Sequence, residues 1–344
     1  ALDSLTVEHL FRRHSGELVA VLGRYFGPSR LDLVEDVVQE AFLAALRRWP
    51  FDGVPDNPRA WIAAVARNRA LDRLRRDGRW RERVPEVERS LCERLAETGA
   101  ETVVFERELQ DDCLRVVFAC CHPALASEAQ VALMLSSVGG FSAAEVARAF
   151  LQPKATVAQR LVRARCRMRE LGDEELAVHG REQIEARLDA VLQGLYLLFN
   201  EGYASFAGED PIRSELCVEA LRLAELLATH PLSAQPRVEA LAALFCFQAA
   251  RLPARVDASG DLMLLEAQDR SLWDRGLIRR GLEHLRCSAR GASESTYHLE
   301  AEIASCHTLA PSAEATDWRR ILACYDRLEA RRSSPVVRLN RAVA

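Results

Sequence analysis

Long stretches of this chain set apolar residues three and four positions apart, the repeat of one helix face, and no segment reads as a convincing strand. Ala and aliphatic residues dominate while Gly and Pro punctuation is modest, so few positions force a break. The expectation is an all-α protein. At 344 residues the chain exceeds one ordinary domain, and two or three compact units, each burying its own core, are expected.

The breaks that do occur divide the chain. Residues 7–26 carry Leu10, Phe11, Leu18, Val21 and Leu22 at helical spacing and stop at Gly27-Pro28. A second helix is expected from about 32 to 48, ending at Trp49-Pro50, and a third from Pro58 to about 77. Proline costs little at a helix start, where its missing N–H would have no partner. Between these helices Phe51-Asp52-Gly53-Val54-Pro55-Asp56-Asn57 reads as a turn-rich loop. Residues 79–102 lose the period and read as linker with one short helix, and a second helical unit covers about 106–171. From about 174 onward amphipathic helices follow one another across weak breaks at Gly208, Pro231, Pro236, Pro253 and Gly291. Their lengths loosely resemble tetratricopeptide helix pairs, without a strict period or the Trp-Leu-Gly-Tyr signature. The predicted organisation is a first domain over 1–85, an acidic linker over 86–107, a second domain over 108–173 and a helical extension over 174–344.

Charge sharpens this division. The net charge is only −4, yet arginines crowd residues 67–83 and 160–169 while residues 86–112 and 173–225 lean acidic. Two basic islands on acidic ground predict two separate contacts with a polyanion. The ten cysteines are scattered through helical patterns, as expected of buried thiols in a reducing cytosol. With no apolar run of about 18 residues and no secretory layout at the start, a cytoplasmic protein without membrane contact is expected. The chain begins without Met and stops in what reads as mid-helix, so a longer natural C-terminus is expected.

The second island lies in a helix-turn-helix pattern. Ser142 and Glu145 form a capping box that opens a short helix ending near Phe150, Leu151-Gln152-Pro153-Lys154 makes a tight turn, and Thr156 with Gln159 repeats the capping signature. On the following helix Val157, Leu161, Ala164 and Met168 form the buried stripe. Arg160, Arg163 and Arg167 line an adjacent face, flanked by Arg165 and Arg169. Docked in a major groove, such a helix would bring Lys154, Thr156, Gln159 and Arg160 to base edges and Arg163 and Arg167 to phosphates. The plain alternative is a solvated Arg-rich helix in an ordinary hairpin.

The first island follows two amphipathic helices. On the helix from Asp32, Val34, Val38, Phe42 and Ala45 form the core stripe, while Asp36, Gln39, Glu40 and Leu43 share an acidic and apolar face suited to a protein partner or simply to water. On the helix from Pro58, Ile62, Ala66, Ala70 and Leu74 run at spacing four beside Trp61 and Val65. Asn68, Asp72 and Arg75 occupy one polar strip, and Arg69, Arg73 and Arg76 its neighbour. Guanidinium groups at this density can grip phosphates or stack on unpaired bases.

Read in order, Asp36-Val37-Val38-Gln39-Glu40-Ala41-Phe42-Leu43, Asn57-Pro58-Arg59-Ala60-Trp61-Ile62 and Asn68-Arg69-Ala70-Leu71-Asp72-Arg73-Leu74-Arg75-Arg76 resemble the second conserved region of extracytoplasmic-function sigma factors, the group 4 members of the sigma-70 family. Residues 126–171 resemble their fourth region. Leu195-Tyr196-Leu197-Leu198-Phe199-Asn200-Glu201-Gly202-Tyr203, Gln268-Asp269-Arg270-Ser271-Leu272-Trp273-Asp274 and Ser334-Pro335-Val336-Val337-Arg338-Leu339-Asn340-Arg341 resemble the subgroup with a tetratricopeptide-like C-terminal domain. The resemblance implies a factor that directs core RNA polymerase to promoters. Asp36, Gln39, Glu40 and Leu43 would dock on the clamp helices of the largest subunit, and the fourth region on the flap of the second largest. The loop over 51–57 and the helix bearing Asn68, Arg69, Asp72, Arg73, Arg75 and Arg76 would capture a base flipped from the melting −10 element. Lys154, Thr156, Gln159, Arg160, Arg163 and Arg167 would hold the −35 duplex.

Other signals carry less. Cys120-Cys121-His122 lacks the paired ligand spacing of a zinc site, so no metal or cofactor is expected, and core thiols are the better reading. Asn200-Glu201-Gly202-Tyr203 with Asp269-Arg270 could line a pocket, but a structural role is favoured: Gly202 for close helix approach, Tyr203 as anchor, Asp269 and Arg270 as ties between helices. No Ser-His-Asp set, Walker loop or dinucleotide fingerprint appears, and no enzymatic activity is expected. Residues 174–344 are expected to be regulatory, contacting a further protein or the chain's own DNA-binding domains. The competing reading is a dimeric helix-turn-helix regulator with a ligand-sensing helical domain that binds duplex DNA without polymerase.

Overall fold

The computed structural model describes residues 4–76, 111–203, 212–257, 261–291, 293–331 and 334–344. The expected linker over 86–107 and its short helix lie outside the described residues. Everything described is helix and turn apart from one isolated bridge between Val256 and Leu262. The residues fall into two units, 1–194 and 195–344.

In the first unit α1 (Ser4–Phe26) stops at Gly27, whose φ of 84° ends the helix, and a 3₁₀ turn, Pro28–Arg30, leads into α2 (Leu31–Asp52). The expected stop at Trp49-Pro50 is corrected: α2 continues through Pro50 to Asp52. Pro50 is exposed and sits in the last turn, so one absent N–H bond is its main cost there. The helix ends instead at Gly53, with φ 81° and its N–H on the Trp49 carbonyl at 3.0 Å. α3 (Pro58–Arg76) packs on α2 through the expected stripe, with Val34, Val38, Phe42, Ala45, Ile62, Ala66 and Ala70 all buried. Trp49 and Trp61 meet edge to face at 5.5 Å.

α4 (Asp112–Cys120) and α5 (Ser127–Ser137) carry the core thiols and much of the apolar centre. α6 (Ala143–Ala149) opens with the capping box as expected: Ser142 Oγ accepts from Glu145 N–H at 3.3 Å and Glu145 Oε2 from Ser142 N–H at 2.8 Å. The second predicted box does not form. α7 (Lys154–Leu176) starts with Pro153 as its cap, three residues before Thr156, because Leu151 at φ 52° already reverses the chain. Gly172, at φ 77°, then breaks α7 before its last turn. α8 (Arg181–Tyr203) follows, and the division between units falls inside it, after Gly194.

Close contacts tie elements of this unit together. Arg187, 2% exposed, donates to the carbonyls of Phe118, Glu175, Leu176 and Ala177, so one guanidinium caps the C-terminal ends of α4 and α7. Gly16 of α1 lies so close to the Val138 carbonyl that a Cβ there would stand 2.0 Å from the oxygen.

In the second unit α9 (Ser214–Thr229), α10 (Pro236–Ala249), α11 (Arg275–Ser288), α12 (Thr296–Leu309), α13 (Trp318–Arg331) and α14 (Pro335–Val343) follow in order. α10 is apolar nearly all round, and correspondingly it packs against α9, α11 and α12 with ten of its side chains buried. α13 is amphipathic, burying Ile321, Cys324 and Leu328 at spacings of three and four. Gly202 has the expected role: a Cβ would meet the Arg213 carbonyl at 2.8 Å and the Cys217 nitrogen at 2.9 Å. Nine cysteines are described and all are free thiols.

Candidate nucleic-acid interface

α7 owes its orientation to its own stripe. Val157, Leu161, Ala164 and Met168 are buried, and this leaves Lys154, Thr156, Gln159, Arg163 and Arg167 exposed beyond the turn at Leu151. Arg160 differs from them. It is partly covered, with Nη1 on Gln152 Oε1 at 2.8 Å and Nη2 on Glu128 Oε2 at 3.3 Å. Arg167 keeps an exposed contact with Glu170 at 2.9 Å, one turn along the same helix. A short helix, a tight turn and a second helix with a polar row facing outward are the parts that major-groove docking uses.

On α3, Asn68, Asp72, Arg75 and Arg76 form an exposed strip, while Arg69 and Arg73 are half-buried against α2. Arg69 Nη1 lies 2.7 Å from Glu40 Oε2, Arg73 Nη2 also binds Glu40, and Arg73 Nη1 reaches Asp36 Oδ2 at 3.4 Å. The hydrogen bond from Arg69, with both cations beside it, holds the Glu40 carboxyl below its usual range. The sequence-predicted partner face and basic strip thus share residues: Asp36 and Glu40 neutralise Arg69 and Arg73, leaving Gln39 and Leu43 exposed beside them. The Phe51 ring, 88% exposed at the end of α2, stands where a base could stack on it, and the sequence reading had not singled it out by itself.

The structure also adds residues that the sequence reading missed. Glu35, on the buried side of α2, faces Arg165 of α7, with Oε2 2.6 Å from Nη2, and accepts from the Ser137 hydroxyl. Arg165 Nη2 also donates to Ser136 Oγ at 3.1 Å. Burial pushes the Glu35 carboxyl up despite Arg165 and Ser137, which pull it down. Arg169 approaches Asp32 at 3.4 Å, and Asp173 Oδ1 accepts from Ser29 N–H at 2.9 Å. A signal for this existed: Glu35 falls next to Val34 in the apolar stripe of α2, and a carboxylate there needs a buried cation.

Cys120 and Cys121 are fully buried and His122 Nδ1 accepts from Ala124 N–H at 3.2 Å. Burial pushes the Cys120 thiol up to about 12. Among the described residues, Glu225, Cys246 and His284 are the grouping with metal-ligand atoms within 4.8 Å of one another, and it is already paired, Arg280 on Glu225 at 3.0 Å and Glu239 on His284 at 2.6 Å. Among the described residues no helix is long and apolar enough to cross a membrane.

Residues 10–80 match the family described as Sigma-70 region 2, and residues 115–168 the family described as Sigma-70, region 4. Residues 187–289 match a family of unknown function (DUF6596). The chain is 39% identical over 336 residues to "Uncharacterized protein R00370" of Rhizobium meliloti (strain 1021), an overlap covering 95% of this chain and 76% of that protein. No solved structure matches.

Proposed function

The chain belongs to the sigma-70 family, as a sigma factor of the extracytoplasmic-function type that directs core RNA polymerase to promoters, and from that premise we propose how its own side chains divide the work. α7 enters the major groove of the −35 element, with Lys154, Thr156 and Gln159 at base edges and Arg163 and Arg167 on phosphates. Arg160 reaches the groove by exchanging Gln152 and Glu128 for a base or phosphate. On α3 the strip of Asn68, Asp72, Arg75 and Arg76 receives the base extruded from the −10 element, with Phe51 as a stacking surface, while Arg69 and Arg73 are shared between DNA and Glu40. Asp36, Gln39, Glu40 and Leu43 dock on the clamp helices of the largest subunit, and region 4 on the flap of the second largest.

The observation that carries this reading is the outward row on α7, exposed because the inward row is fully committed to the core. In this reading residues 1–85 work as region 2, 108–173 as region 4, and 174–344 as a tetratricopeptide-like regulatory extension without chemistry of its own, in the cytoplasm. Run-off transcription with purified core polymerase tests it. The chain should direct initiation at its promoter and melt the −10 segment; a chain that shifts duplex DNA alone yet never supports initiation is a helix-turn-helix regulator instead.

A further inference from the structure

We propose that the second unit holds a binding site for an oxyanion carried on a small apolar or aromatic molecule, formed by Tyr203, Arg251, Arg255 and Arg270. This goes beyond promoter recognition and does not depend on it.

Arg251 closes the turn after α10 and is only 9% exposed. Its guanidinium lies 5.9 Å from the centre of the Tyr203 ring, and that of Arg255 lies 3.8 Å from the same ring. Arg270 stands 4.5 Å over Trp273 and is oriented by the carbonyls of His307 at 2.9 Å and Ala310 at 2.8 Å. Three cations therefore converge on two aromatic rings. Among the described residues the Nε atoms of Arg251 and Arg255, the Tyr203 hydroxyl, the Trp273 Nε1 and Gln268 Oε1 are all buried without a hydrogen-bond partner.

Elsewhere among the described residues the Nε atoms of Arg165, Arg187 and Arg237 are likewise buried without a hydrogen-bond partner, but the Nη atoms of Arg165 and Arg187 are met by a carboxylate or by carbonyls. Arg187 is met by four carbonyls, and Arg213, equally hidden, pairs with Glu215. A buried charge survives when it is paired and hydrogen-bonded. Arg251 instead faces Arg255 and Arg270, which add to the cost of its charge. An anion brought from outside supplies what the other sites contain.

The neighbouring cavity suggests what else that molecule carries. It measures about 230 Å³ and is lined by Leu264, Leu265, Trp318, Arg270, His307 and Glu266 among others. Burial first, and then Arg251 and Arg270, favour the neutral form of the His307 imidazole, so the field of the two cations reaches the cavity wall. Apolar walls beside a cationic end suit a phosphate or carboxylate on an apolar or aromatic body. Among the described acids nearby are Glu266 in the wall, Glu314, which acts on Arg270 from the surface, and Glu215, which shares Cys217 as a neighbour with Arg255.

Thermal shift and calorimetry on the full chain test this with inorganic phosphate, phenyl phosphate and benzoate, against sodium chloride at matched ionic strength. Phenyl phosphate or benzoate should bind saturably and more tightly than inorganic phosphate, and whichever is stronger separates a phosphate source from a carboxylate source. Arg251→Met and the milder Arg255→Gln should each weaken binding at least tenfold, while Arg163→Ala on the DNA-facing helix should leave it unchanged. Glu209 and Asp210 lie outside the described residues and offer the internal alternative. If Glu209→Gln with Asp210→Asn destabilises the chain as Arg251→Met does, or if no probe binds saturably, or if Arg163→Ala alone removes binding, the proposal is overturned.

Discussion

Arg160 is held before any DNA arrives, by Gln152 at 2.8 Å and Glu128 at 3.3 Å. These contacts restrict a long side chain beside the exposed row of α7, and in the proposed docking they are exchanged for contacts with DNA. Arg160→Ala is therefore expected to cost roughly 1–3 kcal/mol of −35 duplex affinity and to relax discrimination at one base pair, measured by anisotropy on single-substitution duplexes. A uniform loss across all the duplexes would reassign Arg160 to phosphate contact. A second residue reports on the cationic cluster of the other unit. Burial first, then Arg251 and Arg270, push the His307 imidazole down to about 4 from its usual 6.5. The unfolded chain takes up this proton first as the pH falls, so His307 favours folding fully above about 6.5 and loses that contribution on acidification toward 4. Titration of the imidazole by NMR should show this low value, and Arg251→Met should raise it.

At the scale of elements, what was legible in the sequence is what a helical period can carry. The stripes of α2 and α7 were readable because each face repeats four times or more, and the Ser142–Glu145 box because it is local. The end of α2 was not readable: proline is a stop only where the lost N–H bond matters, and the last turn tolerates it. Nor was the start of α7, since the Thr156–Gln159 capping signature pointed past the true start at Lys154, which follows the chain reversal at Leu151. Of the site, the exposed polar rows were legible, but their partners were not, because Glu40–Arg69 and Glu35–Arg165 join positions far apart in the chain. Arg187 belongs to the same class. Nothing local marks it, yet it caps α4 and α7 together, and Arg187→Met should cost roughly 3 kcal/mol in chemical denaturation by leaving buried carbonyls unmet. It follows that truncating the chain near residue 174 would damage region 4 itself, so the role of the extension is better probed by point variants in the second unit.

For the whole molecule, the packing inside the first unit sets a condition on function. A compact body of 194 residues is about 40 Å across by the usual scaling of radius with length, whereas promoter elements some 25 base pairs apart at 3.4 Å each are separated by roughly 80 Å. The two basic modules cannot both reach their elements while Glu35 holds Arg165, Asp32 approaches Arg169 and Gly16 presses on Val138. Arg165 and Arg169 sit on the helix proposed to face the −35 duplex, so the contacts that close the unit also occupy cations beside its exposed polar row. Opening therefore frees positive charge at the moment it is needed. Glu35→Gln removes the carboxylate but keeps the shape and the hydrogen bond to Ser137, and Gly16→Ala attacks the same closure sterically, through a Cβ that has no room. Each is expected to raise the radius of gyration in solution scattering, and Glu35→Gln to raise promoter occupancy with core polymerase as well. If both variants scatter like the parent chain and initiation is unaltered, the modules separate by another route and the Glu35–Arg165 pair serves only to stabilise the fold.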